Sequence, residues 1–180
     1  MNRKLLVLSF VLVLLAASLS GCAMGATMAP PARDITVSVD EALTAQDAGI
    51  AGLVAGQVEW TESEFSSFLS VLLEQNSGPN QPIAGIHAWF EPDNQIYLRV
   101  ALKEGVLLGG NTLDLVGKVM VANQHLSVDV QEASANGYSV SGAMLAPVNA
   151  YINNALADPS MGVAVDVSTG QGTISIGLTQ

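Results

Sequence analysis

One cysteine in 180 residues leaves no intramolecular disulfide to form and no CxxC motif. Basic residues are also scarce: six Lys and Arg stand against sixteen Asp and Glu, a formal charge of −10. Such a surface repels phosphate backbones and anionic headgroups, which argues against nucleic acid and against a polybasic membrane patch. Aromatics make up 5% of the chain, and only His87 and His125 have side chains that ordinarily titrate near neutrality. There is no Gly-rich phosphate loop, no HExxH, and no GxSxG with triad partners. The acidic residues are scattered and do not pair. We expect no enzyme, no catalytic residue, no cofactor and no metal site.

What the chain does have begins at its start. Arg3 and Lys4 precede a charge-free apolar run from Leu5 to Leu19. Fifteen residues at helical rise span roughly 22 Å, short of the roughly 30 Å hydrocarbon core. The run ends in small residues and not in a basic stop cluster. Residues 1–21 are expected to be a cleaved signal peptide.

Leu19-Ser20-Gly21-Cys22 resembles the lipobox of bacterial lipoproteins. The resemblance implies cleavage before Cys22, a diacylglycerol thioether on its sulfur and an acylated new N-terminus, a palmitate-type modification. Two or three chains anchor stably where one is marginal. The expected location is extracytoplasmic, lipid-anchored to the cell membrane. Ala23 follows the cysteine where an aspartate is absent, which resembles outer-membrane sorting in a cell with two membranes.

Removing Arg3 and Lys4 with the signal leaves four basic residues against sixteen acidic ones, a charge of −12. Residues 22–36 are small, Pro-containing and aperiodic, and read as the lipidated N-terminus and a flexible linker. Residues 37–180 are enough for one domain with a core.

Within that domain, Ser38 and Glu41 have capping-box spacing. Val39, Leu43, Ile50, Leu53 and Val54 then recur at roughly helical intervals, with Gly49 and Gly52 marking a point where the helix can break. Thr61 and Glu64 form a second box, and Trp60 with Phe65 a hydrophobic staple. Phe65, Phe68, Leu69, Leu72 and Leu73 follow one helical stripe to Asn76-Ser77-Gly78-Pro79. From Ile83 onward the period falls to two, giving four strands with turns at Pro92-Asp93-Asn94 and near Asn123-Gln124. A third helix is predicted from about Ala146 to Leu156, with Pro147 in its first turn. A final hairpin carries Val163, Val165 and Val167, then Ile174, Ile176 and Leu178. The fold class is α+β: a curved antiparallel sheet of about six strands packed on two or three helices.

Three features invite a functional reading. Helix residues Phe65, Phe68, Leu69 and Leu72 with strand residues Leu98 and Val100 could line an apolar groove, or could be ordinary core. Trp89 lies on the face opposite Ile86 and Phe90, so it is either exposed as a partner surface or covered by another element. His87 or His125 could meet a metal beside Glu91 or Asp129, although solvent-facing strand histidines are the commoner case.

The segment Val58-Glu59-Trp60-Thr61-Glu62-Ser63-Glu64-Phe65 resembles the helix-opening segment of small exported bacterial proteins related to the tubular lipid-binding superfamily. So do the strands 96–102 and 113–121, and Tyr138-Ser139-Val140-Ser141-Gly142 leading to Pro147-Val148-Asn149-Ala150-Tyr151-Ile152-Asn153. The resemblance implies curved sheet around a helix and binding of lipid or another apolar ligand in the cell envelope. The chain is short, with at most one wrapped unit. The leading expectation is a membrane-anchored, non-enzymatic lipoprotein that binds a lipid or apolar ligand. The alternative is a structural or adaptor lipoprotein docking another envelope protein.

Overall fold

The computed structural model describes residues 29–75, 82–105, 110–140, 142–158 and 161–179. Helix α1 (Val39–Ala55) leads into strand β1 (Gln57–Thr61) and helix α2 (Glu62–Gln75). Strands β2 (Ile83–Glu91), β3 (Gln95–Leu102), β4 (Thr112–Ala122), β5 (His125–Ala135) and β6 (Tyr138–Ser139) follow. Helix α3 (Gly142–Leu156) precedes the hairpin β7 (Val163–Gly170) and β8 (Thr173–Thr179). The fold is α+β with antiparallel sheets that do not close. Its strands divide between two sheets, ordered β1-β8-β7 and β2-β3-β4-β5-β6, and do not form the single sheet of about six expected. The unforeseen strands are β1 and the two-residue β6. Strand β1 is only five residues long, and the strong box of Thr61 and Glu64 directly after it hides its alternation.

Tight turns set three of the hairpin registers of the larger sheet. Asn123-Gln124 and Asn136-Gly137 are two-residue turns with positive φ at both positions, as type I′ requires, and Asp93-Asn94 adopts the same conformation within the three-residue connection Pro92-Asp93-Asn94. The ends of the two sheets are stitched together by turn residues. Gly172 N–H donates to the Phe90 carbonyl at 3.1 Å, and its own carbonyl accepts from Glu62 N–H at 3.2 Å. Thr169 donates its hydroxyl to the Glu91 carbonyl and its N–H to Asn94 Oδ1.

Helix α2 fixes the core. Its capping box forms: Thr61 N–H donates to Glu64 Oε2 at 2.7 Å, and Glu64 N–H to Thr61 Oγ1 at 3.3 Å. Phe65, Leu69 and Leu72 enter a core shared with Phe90, Leu98, Val100 and Ile174, with Phe65 edge-on to Phe90. Beside this stripe runs a polar row at four-residue spacing. Phe90 N–H donates to Glu62 Oε1 at 2.8 Å, Ala88 N–H to Ser66 Oγ at 2.8 Å, and Ser70 Oγ to the Ile86 carbonyl at 3.4 Å. Four helical residues rise about 6 Å and two strand residues about 6.7 Å, so the two repeats stay in step for three contacts. The row closes the free edge of β2.

A second row does the same for the entering chain. Thr36 N–H donates to Ser63 Oγ and Ser38 N–H to Ser67 Oγ, both at 3.1 Å. At the opposite edge of the sheet, Asn153 of α3 takes a strand's place beside β5. Its Oδ1 accepts from Val128 N–H at 2.8 Å and its Nδ2 donates to the Val128 carbonyl at 3.1 Å. Exposed edges template aggregation, and helix side chains occupy parts of both edges.

Helix α3 begins a turn earlier than expected, so Pro147 lies within it and not at its first position. Its buried face is the expected one: Val148, Ile152, Ala155 and Leu156.

Candidate apolar groove

Helix α1 holds two stripes, and only the smaller side chains face the core. Ser38 caps it, accepting from Glu41 N–H at 3.1 Å, and Gly56 closes it in the left-handed region with φ 79°. Ala42, Ala45 and Gly52 are its buried residues. The helix does not break at its glycines, because they let it approach β1. A Cβ on Gly52 would stand 2.8 Å from Val58 Cβ, and one on Gly49 3.3 Å from the Trp60 ring. The large apolar residues lie roughly 110° around the helix from this contact, at 3.6 residues per turn. Val39 is 70% exposed and Ile50 58%, and Leu43, Leu53 and Val54 are exposed as well.

This displacement opens a groove of about 460 Å³ between α1 and α2. Its floor is Ala42, Ala45, Val58, Trp60, Phe68 and Leu72; Leu43, Ile50 and Leu53 form the α1 wall. Met161 and Leu178 contribute from the β7–β8 region. The Trp60 indole N–H donates to the Ala45 carbonyl at 2.9 Å, so its polar atom is already occupied. Among the described residues, Gln46 and Gln75 are the polar side chains of the lining, and no charged residue takes part. A cleft of this size, mostly apolar with a few amides, has the character of a small-molecule site.

The groove is not where the helix stripe placed it. Phe68 and Leu72 line it, but Phe65, Leu69, Leu98 and Val100 are sealed core on the far side of α2. Leu43, Ile50 and Leu53 were legible as helical periodicity. The signal for the groove is a second, small-residue stripe on the same helix.

Trp89 is covered, at 6% exposure, so it offers no bare partner surface. Its cover is residues 30–36, which the sequence assigns to flexible linker. The Trp89 indole N–H donates to the Arg33 carbonyl at 2.9 Å. The Arg33 guanidinium donates to Glu62 at 2.6 Å, to Glu91 at 2.8 Å and to the Phe90 carbonyl at 2.9 Å. Its hydrogen bond to Glu62 raises its pKa above the ordinary value; burial works the other way, and Glu91 adds to the rise. A polar latch thus seats the chain on the β2 edge before α1 begins.

His87 stacks on Trp89 at 6.1 Å between ring centroids. Burial, and then the charge of Arg99, push its pKa below the usual histidine value. The buried Nδ1 of His125 has no hydrogen-bond partner. Neither histidine joins a group of metal-ligating side chains; none exists among the described residues. Leu19, Ser20, Gly21 and Cys22 lie outside the described residues. No known protein family, curated protein or solved structure matches the chain.

Proposed function

We propose that this protein is a lipid-anchored, extracytoplasmic lipoprotein whose domain binds an apolar ligand in the groove between α1 and α2, without catalysing a reaction. The observation that carries the reading is a 460 Å³ groove with no charged lining residue among those described, walled by large apolar side chains that the fold leaves exposed. Exposed apolar residues contiguous with a concave site mark recognition and not packing. The lipobox of Leu19, Ser20, Gly21 and Cys22 and the resemblance to tubular lipid-binding proteins support the same reading from the sequence.

The anchor and the groove are tested separately. Labelled palmitate should enter the full chain and be lost in Cys22→Ser. Native mass spectrometry of the full chain, gently extracted, should find a co-purifying apolar molecule. Ile50→Glu changes an exposed wall residue and should abolish that adduct while leaving the melting temperature nearly unaltered. A chain that carries no adduct and takes up no added acyl probe overturns the binding reading, whatever the state of Cys22.

A further inference from the structure

Resting on the groove reading above, we infer that the ligand is a single apolar chain with an uncharged, hydrogen-bonding head, such as an ester, amide or alcohol, and not a free fatty acid. The argument is one of charge. Outside the signal segment the chain has four basic residues, Arg33, Arg99, Lys103 and Lys118. None of them lines the groove. Arg33 is engaged by Glu62 and Glu91, and Arg99 by Asp114 at 2.7 Å. Lys103 and Lys118 belong to the β2–β6 region, with Lys103 beside Glu74 in a separate cleft on the other flank of α2.

A carboxylate seated in this groove would therefore give up part of its hydration with no cation to pair with, which is unfavourable. Gln46 and Gln75 each supply a donor and an acceptor, which together satisfy an ester, amide or hydroxyl group. The apolar floor meanwhile takes a hydrocarbon tail, with the Trp60 N–H turned away to Ala45.

The test compares dodecanoylglycerol, dodecanoate and dodecylammonium on the full chain at pH 8, counting bound probe by native mass spectrometry. We expect the glycerol ester to bind more tightly than either ion, by about tenfold, the direction that partial dehydration of a charge without a partner dictates. Gln46→Lys should narrow or reverse the gap between ester and dodecanoate. Equal or tighter binding of dodecanoate or dodecylammonium by the unaltered chain overturns the head-group inference and leaves the groove reading standing. Failure of all three probes to bind overturns both.

Discussion

The Ser66 hydroxyl lies 2.8 Å from the amide nitrogen of Ala88 and accepts its hydrogen in a buried position. It is the middle contact of a helix-to-strand row that has no backbone component on the helix side. Replacing Ser66 by Ala leaves a buried N–H without a partner, and such a group costs about 1–3 kcal/mol. Urea denaturation should find Ser66→Ala destabilised by that amount, and hydrogen exchange at Ala88 should accelerate more than at Leu98 on the neighbouring strand. An unchanged midpoint would mean that β2 closes its edge by other means.

Arg33 and Glu62 should depend on each other. Glu62 is buried while Arg33 is about one-third exposed, so losing the cation leaves a carboxylate with its Phe90 amide and little else. A fully buried pair loses about 3–5 kcal/mol when one partner goes, and partial solvation of Arg33 brings the expected cost of Arg33→Met to about 2 kcal/mol. Arg33→Met with Glu62→Gln should recover part of it. A double-mutant cycle with no coupling between the two positions would refute the latch.

Gly52→Ala sets two effects against each other. Helix propensity favours alanine over glycine by about 1 kcal/mol at an interior position. The added methyl, however, would meet Val58 Cβ at 2.8 Å and the Gln57 carbonyl oxygen at 2.9 Å, closer than such atoms approach. Overpacking of this kind typically costs about 1–3 kcal/mol, so the net change should be destabilising. Thermal denaturation decides the sign, and a raised midpoint would show that α1 slides freely over β1.

His87 should impart an acid sensitivity. Its folded-state pKa is lowered, chiefly by burial and further by Arg99, so the folded chain resists a proton that the unfolded chain accepts. Its contribution to stability is complete above about pH 6.5 and is lost as pH falls through the lowered folded value. Replacement by Gln should flatten the stability profile below about pH 6.5. If the mutant and native profiles run parallel there, His87 is not the titrating group.

Much of this architecture is legible in the residues. Hydrophobic periodicity places α2 and the strands of the larger sheet. Thr61 with Glu64 marks the start of α2, and the small polar turns mark the hairpins. Three things escape that reading for physical reasons. Periodicity reports that α1 has an apolar stripe but not which side of a helix faces its neighbours. Here close approach through Ala42, Ala45 and Gly52 outweighs burial of Val39 and Ile50. Trp89 looks bare on its strand because its cover comes from 56 residues away and is held by the single hydrogen bond to the Arg33 carbonyl and the charges around it. The rows of Ser66 and Ser70, and of Ser63 and Ser67, are visible as four-residue spacing, but serine on a helix ordinarily reads as surface.

The Arg33 latch has a consequence for the proposed anchor at Cys22. With the backbone seated from about Pro30 onward, roughly eight residues separate the sulfur from the folded body, a reach of at most about 28 Å when fully extended. Under the proposed anchoring, a leash of that length would confine the domain to a shell about one protein diameter deep, where membrane molecules would be encountered at high effective concentration. Even a site of weak intrinsic affinity would then stay loaded while its anchor holds, and would empty once the leash is cut.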